Sequence, residues 1–487
     1  MDRPVPARST SQGLIVRRAG LGHRRADIRI AGDRIVEIGT VLERRAGEEE
    51  LDACGGEVLP GLHDHHLHLR AAAAAQRSVQ TGPPQVKDRP MFEAALHSTA
   101  GTTGWLRGVG YHDSVAGPLD RWLLDGIVPD RPVRIQHRSG SLWILNSAAI
   151  DLLGVPSDPS PGVERDPDGR PTGRLWRMDA WVAERLEAQA GPRVGGDDDL
   201  AAFSASSLRR GVTGWTDATP GRTMADAWSL ARAVESGLIR QRLHLMLPAE
   251  ADPSAVAELG QIPGVSIGAV KILLDDTELP TLDELADQIA RAHATGRPVA
   301  VHCVTPVQVV LTSAALEGAG PHRGDRIEHG ALIPRGLLPR LAALQIVVVT
   351  QPNFVFERGD TYLAEVPPGE HDDLWRAASL VEAGVGLAAG TDAPFGTADP
   401  WVAVRSATRR LTASGRPLAP TEAVGPHDAA RLWAGPPADP GRPRQLRPGQ
   451  PADLVVLGAP LQAALTGDGE VPVAATVIGG MIATQPP

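Results

Sequence analysis

The segment VLPGLHDHHLHLR, residues 58–70, carries four of the chain's 15 histidines within six positions: His63, His65, His66 and His68. Neutral imidazole is a preferred ligand for zinc and similar ions. On an extended strand alternate side chains share a face, so two imidazoles one residue apart can reach one cation. Two registers satisfy that spacing: Asp64, His66 and His68 share one face, His63 and His65 the other. The later pair is favoured because it stands nearer the end of the run. Other short apolar runs also carry a polar residue in or at the end of them: Lys271 in SIGAVKILL, His302 in RPVAVHCV, His329 in DRIEHG and Asp392 in VGLAAGTDA. If these side chains converge, imidazoles and a carboxylate make a divalent-metal site.

Lys271 and Asp392 extend that chemistry. Lys87 and Lys271 are the only lysines among 48 basic residues. A lysine inside an apolar run can shed its proton, whereas an arginine cannot. A neutral amine can take up carbon dioxide as a carbamate, whose two oxygens can bridge divalent ions ~3.5–4 Å apart. The other reading of Lys271 is a salt bridge to Asp275 or Asp276. Asp392 can ligate a metal and also accept a proton from activated water, the work of a general base. The other reading of Asp392 is a turn aspartate, which TDAP would suit.

Such residues need a scaffold that brings distant stretches together. Eight short apolar runs are present: GEVLPGLHDHHLHL, GVTGWTDA, RLHLMLP, SIGAVKILL, RPVAVHCV, DRIEHG, QIVVVTQP and VGLAAGTDA. From the second onward they recur every ~20–40 residues, the length of a strand with its crossover helix. Continuous apolar strands suit a parallel sheet covered on both faces, and eight of them suggest an α/β fold of the (β/α)8 TIM-like barrel type. Catalytic groups of such barrels stand at the C-terminal ends of the strands. Both ends of the chain read as β structure, with ADIRIAGDRIVEIG as a hairpin and PADLVVLG and VAATVIGGMIAT as strands. The expected organisation is a small β-sandwich from residues 1–58 plus 436–487 and a barrel over 59–435. Residues 71–205 would be a large insertion over the barrel mouth after the first strand.

The length of 487 residues suits this plan. The composition, 42% hydrophobic and 22% charged, is that of a globular chain with a sizeable core. The net charge is −10 and basic runs are short, which argues against nucleic acid as a partner. There is no apolar stretch of the ~20 residues that a membrane span needs. The start of the chain lacks the apolar core of a signal peptide, and two cysteines, Cys54 and Cys303, make no disulfide framework. A cytoplasmic setting is expected, with a small-molecule substrate and room for a homodimer.

PGLHDHHLH resembles the Pro-Gly-x-x-Asp-x-His-x-His motif of the amidohydrolase superfamily of metal-dependent hydrolases. Members place His-x-His after strand one, a lysine after strand four, histidines after strands five and six, and an aspartate after strand eight. The matching positions are His66 and His68, Lys271, His302, His329 and Asp392. The ending LRPGQPADLVVL with TVIGG is similar to the return of the chain into a urease-type sandwich. GVGYHDS, LDGIVPDRPVRI, WILNSAAIDLLG and DPDGRPTGRLW resemble the exoenzyme-like group that includes N-substituted formamide deformylase. The chain departs from that group at Ser141, where a histidine is common, and at Asp276, which replaces a glycine after the lysine. Both departures fall where substrate is expected.

The resemblance implies hydrolysis of an amide or other non-peptide C–N bond by metal-activated water. Zinc is the expected ion, one or two per chain, with a carbamate on Lys271. Asp392 is expected to move the proton, and His302 or His329 to polarise the carbonyl. Trp105, Tyr111, Arg138, Ser141 and Trp143 are expected to line the substrate pocket. An ester, lactone or phosphoester hydrolase, a deaminase or decarboxylase, and a non-catalytic relative are the alternatives on the same scaffold.

Overall fold

The computed structural model describes residues 13–98, 104–156, 160–188 and 195–485; residues 1–12 of the expected terminal β domain lie outside them. The architecture is a TIM-barrel-type α/β fold with β-rich additions. The eight apolar runs contain nine parallel strand segments, two of them in the fourth run. Leu62–Leu67, Val212–Asp217, Arg242–Leu245 and Val265–Ile267 pair in that order. Val270–Ile272, Val299–Cys303, Arg326–His329, Val347–Thr350 and Gly386–Ala389 form the second series. The fourth run is split between the two. Gly268 N donates to Leu245 O at 2.8 Å and Val270 N to Pro298 O at 2.8 Å, so this run joins the third strand to the fifth.

The last strand comes to lie beside the first. Asp392 N donates to His66 O at 2.8 Å. A Cβ placed on Gly390 would stand 2.5 Å from His66 N and 2.6 Å from His66 Cβ, so only glycine permits this approach. Gly390→Ala is expected to destabilise the chain by about 1–3 kcal/mol, the range for overpacking. Thermal unfolding should record that loss, and metal titration should show weakened binding, because the methyl group displaces His66 itself.

The helices between the strands are marked locally. Thr281 and Glu284 form a reciprocal capping box at the start of Leu282–Ala294, which buries Leu285, Ile289 and Ala292 at helical spacing. Thr305 and Gln308 do the same for Pro306–Ala319, with proline in its first turn. Among the described residues no helix is long and apolar enough to cross a membrane.

Two four-stranded sheets lie at the chain ends. One pairs Gly13–Leu21 with Arg24–Ala31 and Glu48–Asp52, with Arg34–Gly39 on its edge; the other joins Val58–Pro60 to Leu454–Leu457, Val473–Ile478 and Met481–Thr484. Leu14, Val16 and Ile28 of one share a core with Leu454, Val456 and Val477 of the other. The long segment after the first barrel strand carries its own six-stranded sheet, running from Val79–Gln80 through Leu142–Leu145 to Val163–Arg165. Helices Leu69–Ala75 and Asp197–Leu208, at either end of it, bury Leu69, Ala73, Leu200 and Phe203 in the main barrel core. The separate unit therefore starts later and ends earlier than the expected 71–205.

Candidate metal centre

The first barrel strand is buried along its whole length. His66 Nε2 lies 3.5 Å, and His68 Nε2 3.3 Å, from one oxygen, Asp392 Oδ1. One ligand atom from each of these residues falls within 4.8 Å of the others. The His329 ring stands 4.7 Å from that of His66, and the His302 ring 4.5 Å from that of His329. Lys271 pairs through its backbone with Ala300, two residues before His302, and its charge acts on His66, His302 and His329. All six expected ligands thus belong to one neighbourhood.

His63 and His65 are turned elsewhere. Their rings contact each other at 4.6 Å, and His63 Nε2 meets Thr216 Oγ1 at 2.9 Å.

Among the six expected ligands, three polar atoms are covered from solvent and lack hydrogen-bond partners: His66 Nε2, Lys271 Nζ and Asp392 Oδ1. A buried polar atom without a partner costs about 1–3 kcal/mol. The salt bridge considered for Lys271 is absent, since Asp275 pairs with Arg177 and Asp276 accepts from Thr305 Oγ1 at 3.0 Å. Imidazole nitrogen and carboxylate oxygen are the donors a divalent ion of the zinc type takes, so the residues fit such an ion.

The electrostatics prepare these groups for ligation. Burial, then the Lys271 charge, drives His66 well below the ordinary imidazole value. Burial and the neighbouring His329 do the same to His302, and burial with His66 brings His329 down to about 3. These rings are neutral at pH 7 and keep a lone pair. Burial alone would raise the Asp392 carboxyl, but the close His68 imidazole and the charges that His329 and His66 acquire in acid hold it far below the usual range. Burial pulls the Lys271 amine down, against the opposing pull of Glu328 and Asp392.

Partners behind the rings set their orientation. His66 Nδ1 bonds Glu328 Oε2, whose other oxygen lies 2.6 Å from Arg326 Nε. With the proton on Nδ1, Nε2 is left free for a cation. His329 Nδ1 meets Gln351 Oε1 at 2.8 Å. Asp64 accepts from Thr391 N at 2.9 Å and from His66 N at 3.2 Å, which ties the first strand to the Asp392 loop. Two residues of the set adopt left-handed backbone, His329 at φ 70° and Asp392 at φ 55°. Such conformations cost on the order of 1–3 kcal/mol each and concentrate at working sites.

Glu328 and Gln351 were not anticipated from sequence. Glu328 had a signal, an acid inside an apolar strand next to His329; Gln351 closes its own apolar run in the same way. Glu328→Gln is expected to weaken metal binding about 10–100-fold, the usual effect of losing such a partner. Competition with a chromogenic chelator would measure it.

The expected pocket residues separate. Tyr111 is a correction: it is 0% exposed in the core of the added segment, with its hydroxyl donating to Gly117 O at 2.6 Å, so it offers a ligand nothing. Trp143 donates from Nε1 to Asp179 Oδ1 at 2.7 Å, with the Arg107 and Arg134 guanidiniums near its ring. Asp179, whose carboxyl burial raises, feels the His68 charge. Arg134 also approaches the Trp105 ring, at 5.7 Å. The Ser141 carbonyl accepts from Arg177 N at 2.7 Å, and the Arg177 side chain pairs with Asp275 just after the Lys271 strand. This edge of the added segment therefore reaches the strand ends. Arg138 lines a cavity beside the Asp392 loop.

The sequence model of the amidohydrolase family matches residues 49–483, nearly the whole chain. The protein belongs to the amidohydrolase family. It is a hydrolase by that membership. This amidohydrolase is 28% identical to N-substituted formamide deformylase of Arthrobacter pascens over 513 residues, covering 93% of this chain and 94% of the relative. Among solved structures, an uncharacterized metal-dependent hydrolase from Pyrococcus horikoshii OT3 superposes with a TM-score of 0.71 at 20% identity, covering 92% and 97% of the two chains. Atrazine chlorohydrolase TrzN from Arthrobacter aurescens TC1, solved with zinc, gives 0.57 at 15% identity over 97% and 95%. At these identities the two structures speak to the fold alone.

Proposed function

We propose that this amidohydrolase cleaves an amide or another non-peptide C–N bond with water, using a divalent ion, zinc for preference, at His66, His68, Lys271, His302, His329 and Asp392. The observation that carries the reading is the meeting of His66, His68 and Asp392 ligand atoms within 4.8 Å of one another at a covered site, where His66 Nε2 and Asp392 Oδ1 have no hydrogen-bond partner. The architecture read with it is a (β/α)8 barrel over residues 59–435, with a urease-type sandwich from 1–58 plus 436–487.

A divalent ion bound there supplies Lewis-acid activation of water and of the scissile carbonyl. The chain's own residues do the rest. Asp392, ionised at neutral pH, takes the proton of the attacking water on a carboxylate oxygen and returns it to the leaving nitrogen. His329 and His302, both neutral, face the same place. Gln351 fixes the ring of His329, and Glu328 that of His66. In its deprotonated form, which burial favours, the Lys271 amine can bond carbon dioxide through Nζ and release one proton, which converts it to a carbamate anion.

Removal of metal by chelation should abolish hydrolysis of a panel of chromogenic amides, and zinc should restore it. Turnover of esters or phosphotriesters but no amide would favour the other bond classes, and turnover of nothing would end the reading. Loading zinc under 13C-labelled bicarbonate should give a carbamate carbon resonance that Lys271→Ala lacks.

A further inference from the structure

The loop that carries Asp392 continues as Ala393–Ala398 and forms one wall of a cavity of about 820 Å³. Phe395 of this loop touches His68 edge-on, with ring centroids 5.2 Å apart, so the cavity and the metal centre share a wall. Arg138, Arg209, Arg210 and Arg358 line the cavity, against a single carboxylate, Glu357, among the described residues. That carboxylate is already engaged: Thr397 N donates to it at 3.1 Å and Asn353 Nδ2 at 3.3 Å.

The Arg138 guanidinium has no hydrogen bond and no ion pair among the described residues, and only its backbone carbonyl is used, by Arg358 Nη2 at 3.4 Å. Arg358 is held in place, its guanidinium 3.8 Å from the Phe354 ring and its Nη2 bonded to Phe395 O at 2.7 Å, and among the described residues no carboxylate forms an ion pair with it. Burial, then repulsion from Arg358, lowers Arg138 to about 10, against the opposing pull of Tyr362 and Glu365. Two planar, like-charged forks beside a cavity recognise an anion with two coplanar oxygens. Elsewhere the walls mix apolar side chains, Pro83 and Val402 among them, with polar ones, Gln76, Gln80 and Ser206. The volume is that of a drug-sized ligand.

We propose that this cavity binds an organic carboxylate, its carboxylate held between Arg138 and Arg358. The occupant rests against the loop that positions Asp392. The same chemistry could belong to the acidic tail of the substrate or to a separate effector.

The test is calorimetry on the metal-loaded protein with 3-phenylpropionate and its neutral counterpart 3-phenylpropanol. The acid should bind at least tenfold more tightly than the alcohol. Arg138→Gln should remove that preference, and Arg138→Lys should restore part of it. Arg138 has no partner to lose, so its variants should melt with the wild type; Arg358→Gln, checked by melting, gives a second reading. Equal binding of acid and alcohol, or acid binding unchanged in Arg138→Gln, would overturn the proposal. Because this arm reads binding, it stands or falls separately from the hydrolase reading. With an amide that the enzyme turns over, competitive inhibition by the acid, lost in Arg138→Gln, marks a substrate tail. A change in kcat without competition, also lost in Arg138→Gln, marks an effector.

Discussion

Asp392→Asn is expected to lower kcat on the best amide substrate by about 10²–10⁴-fold, the usual contribution of a positioned acid–base group. Three features of the residue make this the most damaging conservative change. Its Oδ1 is covered and unpartnered, and lies within 3.5 Å of both His66 Nε2 and His68 Nε2. Its carboxyl titrates far below the usual range, so it is ionised throughout the neutral range. Its backbone, at φ 55°, is a conformation that asparagine also tolerates, so the substitution leaves the loop in place. Asparagine keeps an oxygen for the ion but cannot take a proton. Steady-state kinetics beside a metal analysis would therefore show bound metal with lost turnover. Turnover within tenfold of wild type would remove Asp392 from proton transfer.

A second large effect separates the two histidine registers. His66→Ala is expected to leave the purified protein without stoichiometric metal after dialysis, a loss beyond the ~10–100-fold that a supporting partner brings. His63→Ala should keep its metal. Its ring serves the hydrogen bond to Thr216 Oγ1, so its removal should appear in thermal unfolding as a loss of about 1 kcal/mol. Plasma mass spectrometry on both variants decides the matter, and metal lost from His63→Ala but kept by His66→Ala would reverse the assignment.

Much of this arrangement was legible in the chain itself. Parallel strands covered on both faces must be short and apolar throughout, so each of the eight runs announced a strand, and the polar residue near its end stood out. The two-residue period separated His66 and His68 from His63 and His65. Burial could not have chosen between the pairs, because every residue of Leu62–Leu67 is buried. The groups that orient the rings were harder to see. Glu328 and Gln351 act only through a partner on another element, and no local pattern announces that. Tyr111 shows the opposite failure. An aromatic residue at a strand end reads equally as pocket wall or as core, and only the close approach to Gly117 O settles its place. The bounds of the added segment were blurred because Ala71–Ala75 packs through small side chains that carry little periodicity.

The central claim is that side chains from five separated strands surround one metal centre. The most direct measurement is a crystal grown with zinc and mapped by anomalous scattering at the zinc edge. The account predicts a peak bonded to His66, His68 and Asp392, in contact with the Lys271, His302 and His329 side chains, with Zn–N and Zn–O distances of about 2.0–2.2 Å. A fully loaded, active crystal whose only peak lies elsewhere, for example at His63 and His244, would contradict it.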